Sequence, residues 1–200
     1  FNENKNVTSG EGGAIIVKDP GYVERAQIIR DKGTNRGQLF RGQVDKYTWV
    51  DVGSSYLPSD MVAAFLYAQL EFVERIQNAR AEIWDRYYDG LRDWAASERV
   101  TYPTVPPYCR QSYHMFYILT PSLAYRRALI DHLKQRSISS VFHDQPLHLS
   151  SMGQRFGGKV GDCPVTEDVS ERLLRLPFYN ELAREDQDRV IAAIKEFSFT

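Results

Sequence analysis

From Ser59 to Ala96 the chain carries one helical pattern, and no other feature restricts its fold as much. Met61, Phe65, Ala68, Phe72, Ile76, Ala79, Ile83, Tyr87 and Leu91 recur at steps of three and four residues. That spacing lines up one apolar stripe on a helix. Ser59 is placed to cap the first turn, and Asp60 puts an acid beside the positive end of the helix dipole. At 1.5 Å per residue such a helix runs about 55 Å, longer than a small domain is wide. The pattern therefore predicts a connecting helix over 59–97 between two domains, with Gly90 as the place where it bends or frays. Core packing is the ordinary use of such a stripe, and docking of a partner helix is the alternative.

The flanks differ in character. Before the helix, Gly13 to Val17 is short, apolar and β-branched, which predicts a buried strand ending at the turn Asp19-Pro20-Gly21. Tyr22 to Asp31 predicts a short helix with Gly33 as its C′ residue. Beyond Pro106-Pro107, Met115–Thr120 and Ile138–Phe142 read as strands, and Leu123–Arg136 reads as an amphipathic helix. The runs SERLLRL and REDQDRVIAAIKEF read as two further helices. Strand, helix, strand and then helices make a small α/β layer domain.

The segment from Gly33 to Pro58 shows neither period and is too long for an idle connection. It holds Phe40, Tyr47, Trp49 and Tyr56 beside Lys32, Arg36, Arg41 and Lys46. Rings beside cations suit an anionic ligand with a flat base. A surface loop packed by its own aromatics is the equal alternative.

Composition narrows the function classes. With 25 basic and 26 acidic residues, the formal charge is −1, which gives no reason to expect nucleic acid or an anionic membrane as partner. No apolar run reaches the roughly 20 residues a membrane-spanning helix needs. Cys109 and Cys163 have no paired spacing and read as free thiols of a reducing cytoplasm. His143 and His148 lie near Asp144 and Cys163, but Pro146 rules out a helical pair of metal ligands, so no metal is expected. A loop lining a cleft is the better reading of FHDQPLH. His114 and His132 read as structural or surface residues. The GEGG run lacks the spacing of a dinucleotide fingerprint and precedes a strand rather than following one.

The opening stretch FNENKNVTSGEGG resembles the DegT/DnrJ/StrS family of sugar aminotransferases through Phe1, Lys5, Asn6, Gly10, Glu11, Gly12 and Gly13. Asn2 stands where that family has histidine. The stretch GSSYLPSD, from Gly53 to Asp60, is similar to the branch that makes dTDP-4-amino-4,6-dideoxygalactose. There Ser55 and Leu57 replace the Asn and Arg found in much of the family. HMFYI, FHDQPLH and SERLLRLPFYNEL match as well, with Asp144 in place of a family tyrosine.

This resemblance implies an α/β fold of fold type I, like aspartate aminotransferase. The chain would hold the end of the large domain (1–58), the connecting helix (59–97) and the small C-terminal domain (98–200), with an N-terminal half expected upstream. It implies pyridoxal 5′-phosphate as cofactor and Lys5 as the catalytic lysine that forms the Schiff base. Ser54 and Ser55 are implied at the cofactor, and Arg36, Arg41, Tyr56, His143 and Asp144 at the substrate. The implied reaction moves an amino group from L-glutamate to C4 of a dTDP-4-keto-6-deoxyhexose, in a homodimer with shared active sites. The retained Lys5 speaks against a non-catalytic member.

Overall fold

The computed structural model describes residues 1–199, and the chain forms two compact units, Phe1–Val73 and the residues from Glu74 onward.

The first unit is built on turns and helix ends. A 3₁₀ turn at Pro20–Tyr22 leads into α1 (Val23–Arg30), followed by the short α2 (Arg36–Phe40) and by α3 (Asp60–Glu71). The expected strand at 13–17 does not form, and Ile15 and Ile16 are 81% and 87% exposed. A buried strand needs hydrogen-bonded neighbours, and no described residue pairs with this run.

α1 ends in a Schellman arrangement, with Gly33 N–H bonded to the Ile28 carbonyl at 2.8 Å. The left-handed C′ position falls on Lys32 (φ 64°), one residue earlier than expected, and Gly33 (φ 75°) is C″. The helix end is then closed by the returning chain. Ser54 N–H donates to the Ile29 carbonyl at 2.9 Å, and Lys32 N–H donates to the Ser54 carbonyl at 3.1 Å. This crossing requires two glycines, because a Cβ on Gly53 would lie 2.1 Å from Gly33 N, and one on Gly33 would lie 1.8 Å from the Asp51 carbonyl oxygen. The patternless stretch 33–58 is thus held by its backbone rather than by its aromatic rings. Trp49 is 74% exposed and Tyr56 67%.

The predicted single helix over 59–97 is two helices. α3 is capped by the Ser59 side chain and stops at Phe72, which leaves helical geometry (φ −103°, ψ 13°), and α4 runs from Val73 to Glu98. The stripe changes character at the same place. Met61, Phe65 and Phe72 are exposed, whereas Ile83, Trp84, Tyr87, Leu91, Trp94 and Ala95 on α4 are buried. Continuous periodicity concealed the break because Phe72 keeps the spacing.

The second unit carries the core. Its sheet is three antiparallel strands in the order β1 (Tyr117–Leu119), β3 (Leu173–Arg175), β2 (Val141–Phe142). Ile118 opposes Leu174, which in turn opposes Phe142. Ile118 and Leu174 are fully buried in one cluster with Phe116 and side chains from α4, α5 (Leu123–Gln135) and α8 (Arg184–Lys195). α4 continues through Gly90 without fraying. Gly90 is the point where Ile191 of α8 packs, and an added Cβ would lie 2.9 Å from Ile191 Cδ1. His132 Nε2 lies 2.8 Å from the Ala193 carbonyl oxygen, the structural role expected of it.

The run SERLLRL is the largest correction. Its first three residues close α7 (Pro164–Arg172), and Leu173, Leu174 and Arg175 are the central strand β3. A short apolar run bounded by Pro177 fits either element on periodicity alone. A short α6 (Ser151–Arg155) was also without a sequence signal.

Candidate functional site

Lys5 sits on a closed loop. Phe1 N donates to the Gly12 carbonyl at 2.8 Å, and Ser9 N–H donates to the Phe1 carbonyl at 2.9 Å. Asn2 Nδ2 donates to Glu11 Oε1 at 2.8 Å, and Lys5 N–H donates to the Asn2 carbonyl at 3.0 Å. Asn2, the departure from the family pattern, therefore fastens the loop that presents the lysine. Gly12 lies against Ser9, whose Oγ would be 2.6 Å from an added Cβ. Lys5 itself is exposed, and its ammonium pairs with no carboxylate among the described residues. An unpaired lysine on a pinned loop can bond an aldehyde carbon once its nitrogen gives up its proton.

Ser54 and Ser55 are exposed, and their backbones are fixed by the crossing at the end of α1. Neither hydroxyl bonds another described residue, so both are available to an oxyanion. Arg41 is already engaged, donating to Gln27 Oε1 at 2.9 Å and to Gln43 Oε1 at 3.1 Å. Arg36 lies over the Phe40 ring, 5.1 Å from its centroid, with no acidic partner among the described residues. No hydrogen bond or ion pair among the described residues joins Lys5 to Ser54, Ser55, Arg36, Arg41 or Tyr56.

In the second unit His143 and Asp144 follow β2 directly. Asp144 is exposed, and the His143 Nδ1 atom is buried without a partner among the described residues. His148 is separate from this pair. Its Nε2 donates to Glu167 Oε1 at 2.8 Å, and the same carboxylate accepts from the backbone N–H of Gly161 and Cys163. Those bonds hold the Glu167 carboxyl below its ordinary range, with His148 as the main cause. Glu167 had no motif to reveal it. Among the described residues no group of three or more His, Cys, Asp or Glu side chains could hold a metal ion. Both cysteines are free and exposed. A cleft of about 860 Å³ lies along α4 and the 100–113 segment, beside Trp84, Tyr88, Arg92 and Tyr102, and holds none of the residues expected at the site.

The fold places the chain in the class of fold type I transferases. An aminotransferase from Streptoalloteichus hindustanus superposes with a TM-score of 0.80 at 25% identity, covering 94% of this chain and 48% of its own. Residues 1–195 match the DegT/DnrJ/EryC1/StrS aminotransferase family, and the chain belongs to it. Two relatives show its range. The dTDP-3-amino-3,4,6-trideoxy-alpha-D-glucose transaminase of Streptomyces venezuelae is 27% identical over 94% of this chain and 46% of its own length. A pleiotropic regulatory protein of Geobacillus stearothermophilus is 29% identical over 98% and 50%. The chain spans about half the length of the curated relatives it matches. Among the described residues no helix is long and apolar enough to cross a membrane.

Proposed function

We propose that the chain carries the catalytic lysine of a sugar aminotransferase. The enzyme moves an amino group from L-glutamate to C4 of a dTDP-4-keto-6-deoxyhexose and yields dTDP-4-amino-4,6-dideoxygalactose. It works as a homodimer. The cofactor is pyridoxal 5′-phosphate, which when bound supplies an aldehyde for amines and an electron sink for the carbon that loses its proton.

The residues present fit that group. Lys5 would hold its aldehyde carbon through Nζ, and the unpartnered hydroxyls of Ser54 and Ser55 would meet its phosphate. Freed by the incoming donor, Lys5 Nζ takes the proton from the donor Cα. In the second half of the cycle it delivers a proton to C4 of the sugar from one face, which sets the configuration there. Arg36, which lacks an acidic partner, is better placed than Arg41 to meet the nucleotide diphosphate. Tyr56 is an exposed ring for the base. His143 and Asp144 are the sugar contacts. The first unit would be the end of the large cofactor-binding domain and the second the small domain.

The observation that carries the reading is Lys5, unpaired on a loop closed by Asn2, Glu11 and the glycines. Borohydride reduction of the cofactor-loaded protein, followed by peptide mapping, tests it. The adduct is expected on Lys5; an adduct elsewhere, or none, removes the mechanism. A panel of nucleotide ketosugars tests the substrate, and turnover of 3-keto sugars alone would move the assignment to another ketosugar. The name of the Geobacillus relative keeps a regulatory, non-catalytic reading open, and a Lys5 adduct without transamination of any ketosugar would favour it.

A further inference from the structure

The central strand of the second unit carries a charge that no acid among the described residues pairs. In an antiparallel sheet, residues directly opposite one another share a face. Ile118, Leu174 and Phe142 form the row turned toward α4, α5 and α8. The next row, on the reverse face, is Tyr117, Arg175 and Val141. Leu119 and Leu173 lie on that face one pair further along, and Leu173 is 8% exposed. The reverse face thus has an aliphatic floor with one phenol and one guanidinium, and Val141, 45% exposed, leaves it open at the β2 edge.

The guanidinium is incompletely satisfied. Arg175 Nη2 donates to the Phe142 carbonyl at 3.2 Å, Nε is buried without a partner, and no Asp or Glu among the described residues lies within ion-pair distance. The Tyr117 hydroxyl bonds none of the described residues. Just past the end of β2, His143 Nδ1 is also buried and has no partner among the described residues. Leaving such polar atoms unmet costs stability, and a charge half-buried on an apolar strand costs more. Holding the edge of β2 needs only one of the five guanidinium N–H groups.

We propose that Arg175, with Tyr117 beside it, is a carboxylate-binding site on this face of the sheet. A guanidinium matches a planar carboxylate with two parallel bonds, the phenol can add a third, and the aliphatic floor suits a short methylene stem. A single unpaired cation fits one carboxylate better than a diphosphate, which carries more charge. Assigning that carboxylate to the amino donor rests on the proposed function; the binding site does not.

The test uses the cofactor-loaded protein and glutarate, an unreactive dicarboxylate, followed by calorimetry. Arg175→Gln is expected to weaken glutarate binding by about 10- to 100-fold, as loss of charge-assisted hydrogen bonds does. Arg175→Lys should recover part of the loss and Tyr117→Phe should cost about threefold. Arg126→Gln, on the opposite face over the Phe142 ring, should change nothing. Stopped-flow separates the half-reactions: Arg175→Gln should slow the glutamate half at low glutamate and leave the ketosugar half unchanged. Unchanged glutarate affinity in Arg175→Gln, with a lowered melting temperature, would make the residue a strap for β2 and overturn the site. Loss of dTDP binding in place of glutarate binding would overturn the carboxylate assignment. Because glutarate binding needs no turnover, its result stands apart from any failure to aminate a ketosugar.

Discussion

Asn2 Nδ2 donates to Glu11 Oε1 at 2.8 Å, so the two sides of the loop that presents Lys5 are joined by a side-chain bond. The bond is exposed, and its removal costs about 0.5–1.5 kcal/mol, felt locally. Glu11→Ala should therefore speed exchange of the Lys5 amide, which bonds the Asn2 carbonyl, by about three- to tenfold. The global melting temperature should stay within a degree or two, about what a small local loss allows. Unaltered exchange at Lys5 would mean the loop is closed by its backbone alone. In the loaded enzyme the same variant should lower kcat more than it raises the KM for either substrate, because proton transfer depends on where Nζ is held.

The chain that presents Ser54 and Ser55 depends on a contact that only glycine allows. A Cβ at position 53 would meet Gly33 N at 2.1 Å and the Ile29 carbonyl oxygen at 2.7 Å, both backbone atoms that cannot rotate away. Gly53→Ala should open the crossing at the end of α1 at a cost of about 1–3 kcal/mol, the usual range for overpacking. Phosphate should then bind the first unit more weakly, as read by titration with inorganic phosphate. Ser54→Ala should weaken phosphate without unfolding, so the two variants separate the scaffold from the contact.

Arg80 is the buried charge of the second unit. Its guanidinium donates to the carbonyls of Tyr113 and His114 and to Asn180 Oδ1, and it lies 4.7 Å from the centroid of the Phe178 ring. Burial lowers its pKa, yet an arginine keeps its charge across the working range. The residue ties α4 to the segment before β1 and to the loop after β3. Arg80→Lys keeps the charge but cannot make the planar set of bonds, and should cost about 2–3 kcal/mol in urea unfolding. Arg80→Met should cost more than Arg80→Lys, since it leaves two carbonyls and an amide oxygen unmet. Equal losses would show that packing rather than hydrogen bonding sets the value.

Several of these features were legible in the sequence. The Ser59 cap marked the start of α3, and the helical runs at Leu123 and Arg184 became α5 and α8. What the sequence hid has physical causes. Phe72 keeps the apolar period while its backbone leaves the helix, so periodicity cannot see the break. Leu173, Leu174 and Arg175 are too few to tell strand from helix. Ile15 and Ile16 have a strand's composition, but a strand is a property of pairs. Glu167 lies 19 residues from His148, and only folding brings them together. Arg175 had a faint signal, a charge within a short apolar run.

The Glu167 clasp predicts an acid limb in the stability of the second unit. The carboxylate accepts from His148 Nε2, Gly161 N–H and Cys163 N–H, and these bonds favour its charged form. Its folded pKa is accordingly depressed, first by the His148 bond, against an opposing effect of desolvation. A depressed carboxyl pKa means that the unfolded chain binds more protons between the two values. The stabilisation is therefore complete above the unfolded value, about 4.3 for glutamate, and is lost as pH falls through the folded one. Urea midpoints measured across acid pH should fall more steeply for the wild type than for Glu167→Gln, whose amide carries no charge to lose. The two curves should lie apart at neutral pH and converge in acid. Parallel curves would show that the 159–163 turn holds itself without the carboxylate. Exchange of the Gly161 amide, bonded to Glu167 at 2.9 Å, should rise in the same acid window and mark the place where the unit first opens.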